Sequence, residues 1–103
     1  MSKEVKIDID KFDILYDNIL VKGIKLEKRN GVLVADSYEN KPELGRVVKV
    51  GAGRIFDSGE IVPLVINVGE IVLFNQYSTT KFNLDGQDYY VVREEDVIGH
   101  QKD

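Results

Sequence analysis

The chain has 103 residues, a formal net charge of −4 and no cysteine. This is enough for one small domain. It excludes disulfides and thiolate metal sites, and the acidic balance argues against a nucleic-acid-binding face, which needs cations to neutralise phosphates. With 43% apolar residues the chain is not disordered by composition. No apolar run approaches the ~20 residues that span a bilayer. The N-terminus carries Glu4, Asp8, Asp10 and Asp13 and resembles neither a secretory signal nor a basic transit peptide. The simplest address is the cytoplasm, and association with further copies is the remaining route to stability for so small a core.

Val5 to Asp10 alternates apolar and charged residues, which predicts a half-buried strand. Ile19-Leu20-Val21 reads as a further strand, with Asp17-Asn18 turning the chain before it. Gly45 to Gly51 is a β-branched run closed by glycine at both ends. Gly51-Ala52-Gly53 forms a corner. Arg54-Ile55-Phe56 and Glu60-Ile61-Val62 then flank Asp57-Ser58-Gly59, a hairpin with a three-residue loop whose last position suits glycine. Pro63 cannot donate to a ladder, so the returning strand is an edge or ends there. Gly69-Glu70 makes a turn. Ile71 to Phe74, apolar on both faces, is expected to be the most central strand. Thr79 to Leu84 and Tyr89 to Val92, joined through Asp85-Gly86, make a second hairpin. Arg93 to Asp96 is a charged turn of about one helical turn, followed by Val97-Ile98-Gly99 and a polar tail. Short strands with Gly-containing turns and no sustained helical period predict one all-β domain over residues 1–103, a barrel or a sandwich.

The stretch from Gly23 to Pro42 leaves two readings open. Asn30-Gly31 is a strong turn dipeptide, so Ile24 to Val34 fits a hairpin. Alternatively, this is a long exposed loop that presents Val32, Leu33 and Val34 to another protein, since long structureless connections are uncommon and usually functional.

The search for chemistry is negative. His100 lies in the polar tail and reads as solvated. None of Ser2, Ser37, Ser58 and Ser78 has a histidine placed to activate it. Asp8 and Asp10, and the acidic run Glu94-Glu95-Asp96, read as solvated faces and not as Ca²⁺-loop spacing. Gly51-Ala52-Gly53-Arg54 offers two glycines and a cation to a phosphate, but neither dinucleotide fingerprint nor P-loop follows, and a hinge is the better reading. Tyr77, Tyr89 and Tyr90 could stack bases in an oligonucleotide-binding barrel. No cofactor or metal is expected, and no enzyme.

Gly45-Arg46-Val47-Val48-Lys49-Val50-Gly51-Ala52-Gly53-Arg54, Asp57-Ser58-Gly59 and Val68-Gly69-Glu70-Ile71-Val72-Leu73-Phe74-Asn75 together resemble the GroES-type co-chaperonin family. Leu15-Tyr16-Asp17-Asn18-Ile19-Leu20-Val21-Lys22 is similar to its opening strand, and Glu94-Glu95-Asp96 before Val97-Ile98 to its close. The resemblance covers about nine-tenths of the chain in order. It implies a small irregular β-barrel that assembles into a homo-heptameric ring and caps a GroEL-type, ATP-driven chaperonin, closing a chamber for protein folding. It further implies that residues 23–42 form a mobile loop whose Gly31, Val32, Leu33 and Val34 dock on the chaperonin. Residues 51–64, with Arg54, Ile55, Phe56, Asp57, Ser58, Gly59 and Glu60, would form a roof hairpin, and the first and last strands would pair between subunits. Neither nucleic acid nor membrane enters this picture. The alternative is a single-stranded nucleic-acid-binding barrel; a catalytic relative of the barrel in zinc-dependent alcohol dehydrogenases would lack cysteines and a nucleotide domain here. Ile14 stands where the family has proline, Asn30-Gly31 where Gly-Gly is common, and residues 1–9 extend beyond the usual start. These departures suit a divergent or viral member, the latter working in its host's cytoplasm.

Overall fold

The computed structural model describes residues 7–24 and 42–102. Among these residues eight strands run in chain order: β1 (Asn18–Gly23), β2 (Pro42–Val50), β3 (Arg54–Ile55), β4 (Ile61–Val62), β5 (Ile71–Asn75), β6 (Thr80–Leu84), β7 (Gln87–Arg93) and β8 (Val97–Gln101). Six of them form one antiparallel sheet in the order β6-β7-β1-β2-β5-β8, and β3 and β4 form a separate two-stranded ribbon. Short 3₁₀ turns at Ile9–Lys11, Gln76–Ser78 and Glu94–Asp96 are the helical segments among the described residues. The all-β class is as expected.

The sheet bends round a core of Ile19, Val21, Val47, Ile66, Val72, Phe74, Tyr90 and Val92. Fully burying one such aliphatic or aromatic side chain contributes about 1.5–3 kcal/mol. The Phe74 and Tyr90 rings lie 5.1 Å apart and tilted by 59°, a favourable aromatic geometry. Strand β1 lies between β2 and β7, and Ile19, Leu20 and Val21 are all fully buried. The middle of the sheet is therefore β1 and β2. Ile71–Phe74 was expected there, but β5 is next to the edge and its burial alternates, with Val72 and Phe74 inside and Ile71 and Leu73 half-buried. The apolar run reflected its neighbours β2 and β8 and not centrality.

Turn chemistry is realised where the sequence placed it. Asp85 and Gly86 both have positive φ (52° and 83°), the signature of a two-residue type I′ hairpin between β6 and β7. In the β3–β4 ribbon the Phe56 N–H donates to the Glu60 carbonyl (2.9 Å), and Gly59 sits at φ 86°. The ribbon's second strand stops at Val62, immediately before Pro63.

The expected strand over Val5–Asp10 is corrected in its described part. Ile9–Lys11 is a 3₁₀ turn whose N-cap, Asp8, accepts a hydrogen bond from the Asp10 N–H (3.0 Å). A short acidic side chain captures the backbone locally and outcompetes the alternating pattern.

Candidate functional site

The proposed docking residues Gly31, Val32, Leu33 and Val34 lie outside the described residues, as do both readings of that stretch. What is described is where the stretch is rooted. Strands β1 and β2 are antiparallel neighbours with Gly23 opposite Gly45, and the Ile24 N–H donates to the Leu44 carbonyl (3.0 Å). The chain thus leaves and re-enters the sheet at adjacent strand ends. The Gln87 side-chain amide donates to the Gly23 carbonyl (3.3 Å), tying this root to β7. Beside it Lys81 pairs with Asp88 (3.7 Å) and lies over the Tyr90 ring. Burial raises the Glu43 carboxyl above its ordinary value despite Lys81, and burial likewise raises the Tyr90 phenol.

The other expected element, Arg54 to Glu60, is brought together as the β3–β4 hairpin. Every residue from Arg54 to Val62 is exposed, Ile55, Phe56 and Ile61 included. At its foot the Gly51 N–H donates to the Asn18 carbonyl (2.9 Å) and the Gly53 N–H to the Tyr16 carbonyl (3.0 Å). A Cβ on Gly51 would overlap the Tyr16 carbonyl oxygen, and one on Gly53 the Val62 carbonyl oxygen. The two glycines therefore permit a close backbone crossing. Their N–H groups are spent on that crossing and do not face a phosphate.

Three residues read as solvated have partners. His100 belongs to strand β8, and its Nδ1 lies 2.7 Å from Oε1 of Glu70, a carboxylate only 5% exposed that also accepts from the Asn67 amide (3.3 Å). The hydrogen bond from His100, assisted by Asn67, holds the Glu70 carboxyl below its ordinary value. Glu94 Oε2 accepts from the Val65 N–H (2.8 Å) and the Ile66 N–H (3.4 Å). Glu95 pairs with Arg93 (2.8 Å) and Arg54 (3.2 Å). Sequence reasoning also missed Asp17, which is buried and accepts from Arg93 Nη2 (3.2 Å); this bond keeps the Arg93 guanidinium all the more firmly protonated. The available signal was the arginine flanked by acids at Arg93-Glu94-Glu95-Asp96, but the partner acid lies far away in sequence.

The three tyrosines do not form a stacking platform. Tyr90 is in the core against Phe74, Tyr89 stacks on Phe82 with centroids 5.5 Å apart, and Tyr77 alone is well exposed. No group of side chains suited to a metal ion is present among the described residues, and no helix among them is long and apolar enough to cross a membrane.

A profile of the family described as Chaperonin 10 Kd subunit matches residues 11–101, from the last residue of the first 3₁₀ turn to the end of β8. The chain belongs to that family. A protein named Co-chaperonin GroES from Hydrogenobaculum is 40% identical over 91 residues, covering 85% of this chain and 95% of that relative. Another of that name, from Desulfotalea psychrophila, is 42% identical over 87 residues, covering 82% and 92%. A third, from Aquifex aeolicus, is 39% identical over 92 residues, covering 86% and 75%. The matched region takes in the root of the 25–41 stretch, the β3–β4 hairpin and the outer strands β6 and β8. The small all-β barrel of the Chaperonin 10 Kd subunit type is therefore the architecture on which these parts are mounted.

Proposed function

We propose that this chain is a non-catalytic co-chaperonin of the cytoplasm, which joins copies of itself into a seven-membered ring and caps a GroEL-type chaperonin while a protein folds in the closed chamber. The observation that carries this reading is membership of the Chaperonin 10 Kd subunit family over residues 11–101, with relatives named Co-chaperonin GroES. In this reading Gly31, Val32, Leu33 and Val34 seat in an apolar groove of the chaperonin, the stretch between Ile24 and Pro42 is the arm that carries them, and residues 51–64 roof the chamber. The adjacent roots of that arm on β1 and β2 support it, since both ends stand on the middle of the sheet.

The energetics suit a reversible cap. Burying Val32, Leu33 and Val34 offers roughly 5–8 kcal/mol in total. Fixing backbone in one conformation costs ~1–2 kcal/mol per residue, so one arm binds weakly. Several identical arms on a ring make later contacts intramolecular and gain ~10²–10⁴ in avidity. Small changes in the partner's groove, driven by its nucleotide cycle, then suffice for release.

Native mass spectrometry of the protein alone, and with a GroEL-type chaperonin and ATP, tests the reading: a seven-copy species that adds to the chaperonin is expected, and a lone protomer that never adds would end it. Leu33→Asp should leave the ring intact and abolish co-purification with the chaperonin. Capping by that variant at the parent's level would rule out the apolar plug.

A further inference from the structure

The β3–β4 hairpin has no buried side chain between Arg54 and Val62. Core packing reaches only its returning foot, where Leu64 packs against the core and Ile66 lies within it, and its other foot is the Gly51-Ala52-Gly53 corner, with Gly53 at φ 136°. We propose that the acidic turn Glu94–Asp96 is a clasp that grips both legs of this hairpin and sets its pose.

The outgoing leg is held through Arg54, whose Nη2 lies 3.2 Å from Glu95 Oε2 and 3.8 Å from Asp17 Oδ2. The returning leg is held through the Val65 and Ile66 N–H groups, which both donate to Glu94 Oε2. The turn itself is moored to the barrel: the Glu94 N–H donates to the Asp17 carbonyl (2.9 Å), and Arg93 bridges Asp17 Oδ2 (3.2 Å) and Glu95 Oε1 (2.8 Å). Tyr16 and Asp17 are the common anchor, because the Tyr16 carbonyl also receives the Gly53 N–H. Tyr16 has φ 58°, a left-handed conformation unfavourable for a non-glycine residue, which the surrounding bonds must hold in place.

The two legs are held unequally. Arg54, Glu95 and Arg93 are about half exposed, and a pair of that kind contributes little and is screened by salt. The Glu94 bonds to backbone N–H groups are charge-assisted and stronger. Salt should loosen the outgoing leg first, while the returning leg keeps its place.

This clasp concerns the pose of the hairpin and holds whatever the hairpin covers. The chain has no cysteine, so spin labels at Ser58→Cys, on the hairpin tip, and Lys22→Cys, exposed on β1, report that pose directly. Labelled chain is diluted into excess unlabelled chain so that each assembly carries one pair. Pulsed dipolar spectroscopy should give a narrow distance distribution in the otherwise unaltered protein. Arg54→Gln with Glu95→Gln should roughly double its width, as should ~1 M KCl on the unaltered pair of residues. Glu94→Ala should add a displaced population. Amide exchange at Leu20 and Val21 should stay at the parent rate in the Arg54→Gln, Glu95→Gln protein. An unchanged distribution in that protein and in high salt overturns the proposal, and so does equal loosening of the β1 amides, which would mean a general loss of stability. If Glu94→Ala does not fold, the first variant and the salt series decide alone.

Discussion

Replacing Ile66 by alanine asks whether the irregular chain between β4 and β5 is part of the core or merely spans it. Ile66 is 2% exposed and packs in the cluster with Phe74 and Val72, whereas its neighbour Val65 is 67% exposed. Both donate their N–H groups to the same Glu94 oxygen, and an alanine at either position keeps that N–H, so the substitutions test the side chains. Ile→Ala removes roughly three carbons, worth ~2.4 kcal/mol in transfer alone at ~0.8 kcal/mol each. The unfilled cavity brings the expected cost to about 3–4 kcal/mol, within the ~2–5 kcal/mol observed for such truncations. Val65→Ala should cost less than about 0.5 kcal/mol. Urea unfolding at one fixed protomer concentration separates the two, because assembly stabilises by mass action. With a slope of about 1.5 kcal/mol per molar, Ile66→Ala should lower the midpoint by ~2 M and Val65→Ala should leave it nearly unmoved. Equal midpoints for the two variants would refute the assignment of Ile66 to the core.

Other substitutions have outcomes fixed by the same structure. Because the folded Glu70 carboxyl lies below its ordinary value of 4.5, its contribution is fully present above pH 4.5 and is lost as pH falls through the lower folded value. Glu70→Gln should therefore flatten the acid side of the stability–pH curve measured by thermal melting; a curve parallel to the parent's would remove Glu70 from that role. Glu43 has the opposite sign, its raised carboxyl adding stability at low pH that is lost as pH rises through the folded value, so Glu43→Gln should not flatten the acid side. Gly53→Ala should cost about 1–3 kcal/mol by chemical denaturation, since φ 136° is glycine territory and the added Cβ meets the Val62 carbonyl. Ala52→Gly, at the exposed middle of the same corner, should cost no more than ~1 kcal/mol; equal costs would show the corner is not tightly crossed.

Features settled within a few residues were legible in the sequence. Asp57-Ser58-Gly59 and Asp85-Gly86 encode their turns through φ preferences, and Pro63 ends β4 by lacking an N–H. Features settled by partners far along the chain were not. Nothing near His100 announces Glu70, and nothing near Glu94 announces the Val65 amide; both depend on the register of β5 and β8 and on the path after β4. The rank of β5 in the sheet failed for the same reason, since an apolar run records how much is covered and not which strands cover it. The 3₁₀ turn at Ile9–Lys11 was a local loss, with the Asp8 carboxylate competing for the Asp10 amide. Of the candidate site, Arg54 to Glu60 fall in the β3–β4 hairpin, and Gly31 to Val34 lie outside the described residues.

The adjacency of β1 and β2 at the Gly23–Gly45 pair bears on how such a protein can diversify. Lengthening a connection whose ends are already side by side costs little, with each doubling adding only ~0.6 kcal/mol of closure entropy. A change of length between Ile24 and Pro42 should therefore leave the β1–β2 register undisturbed.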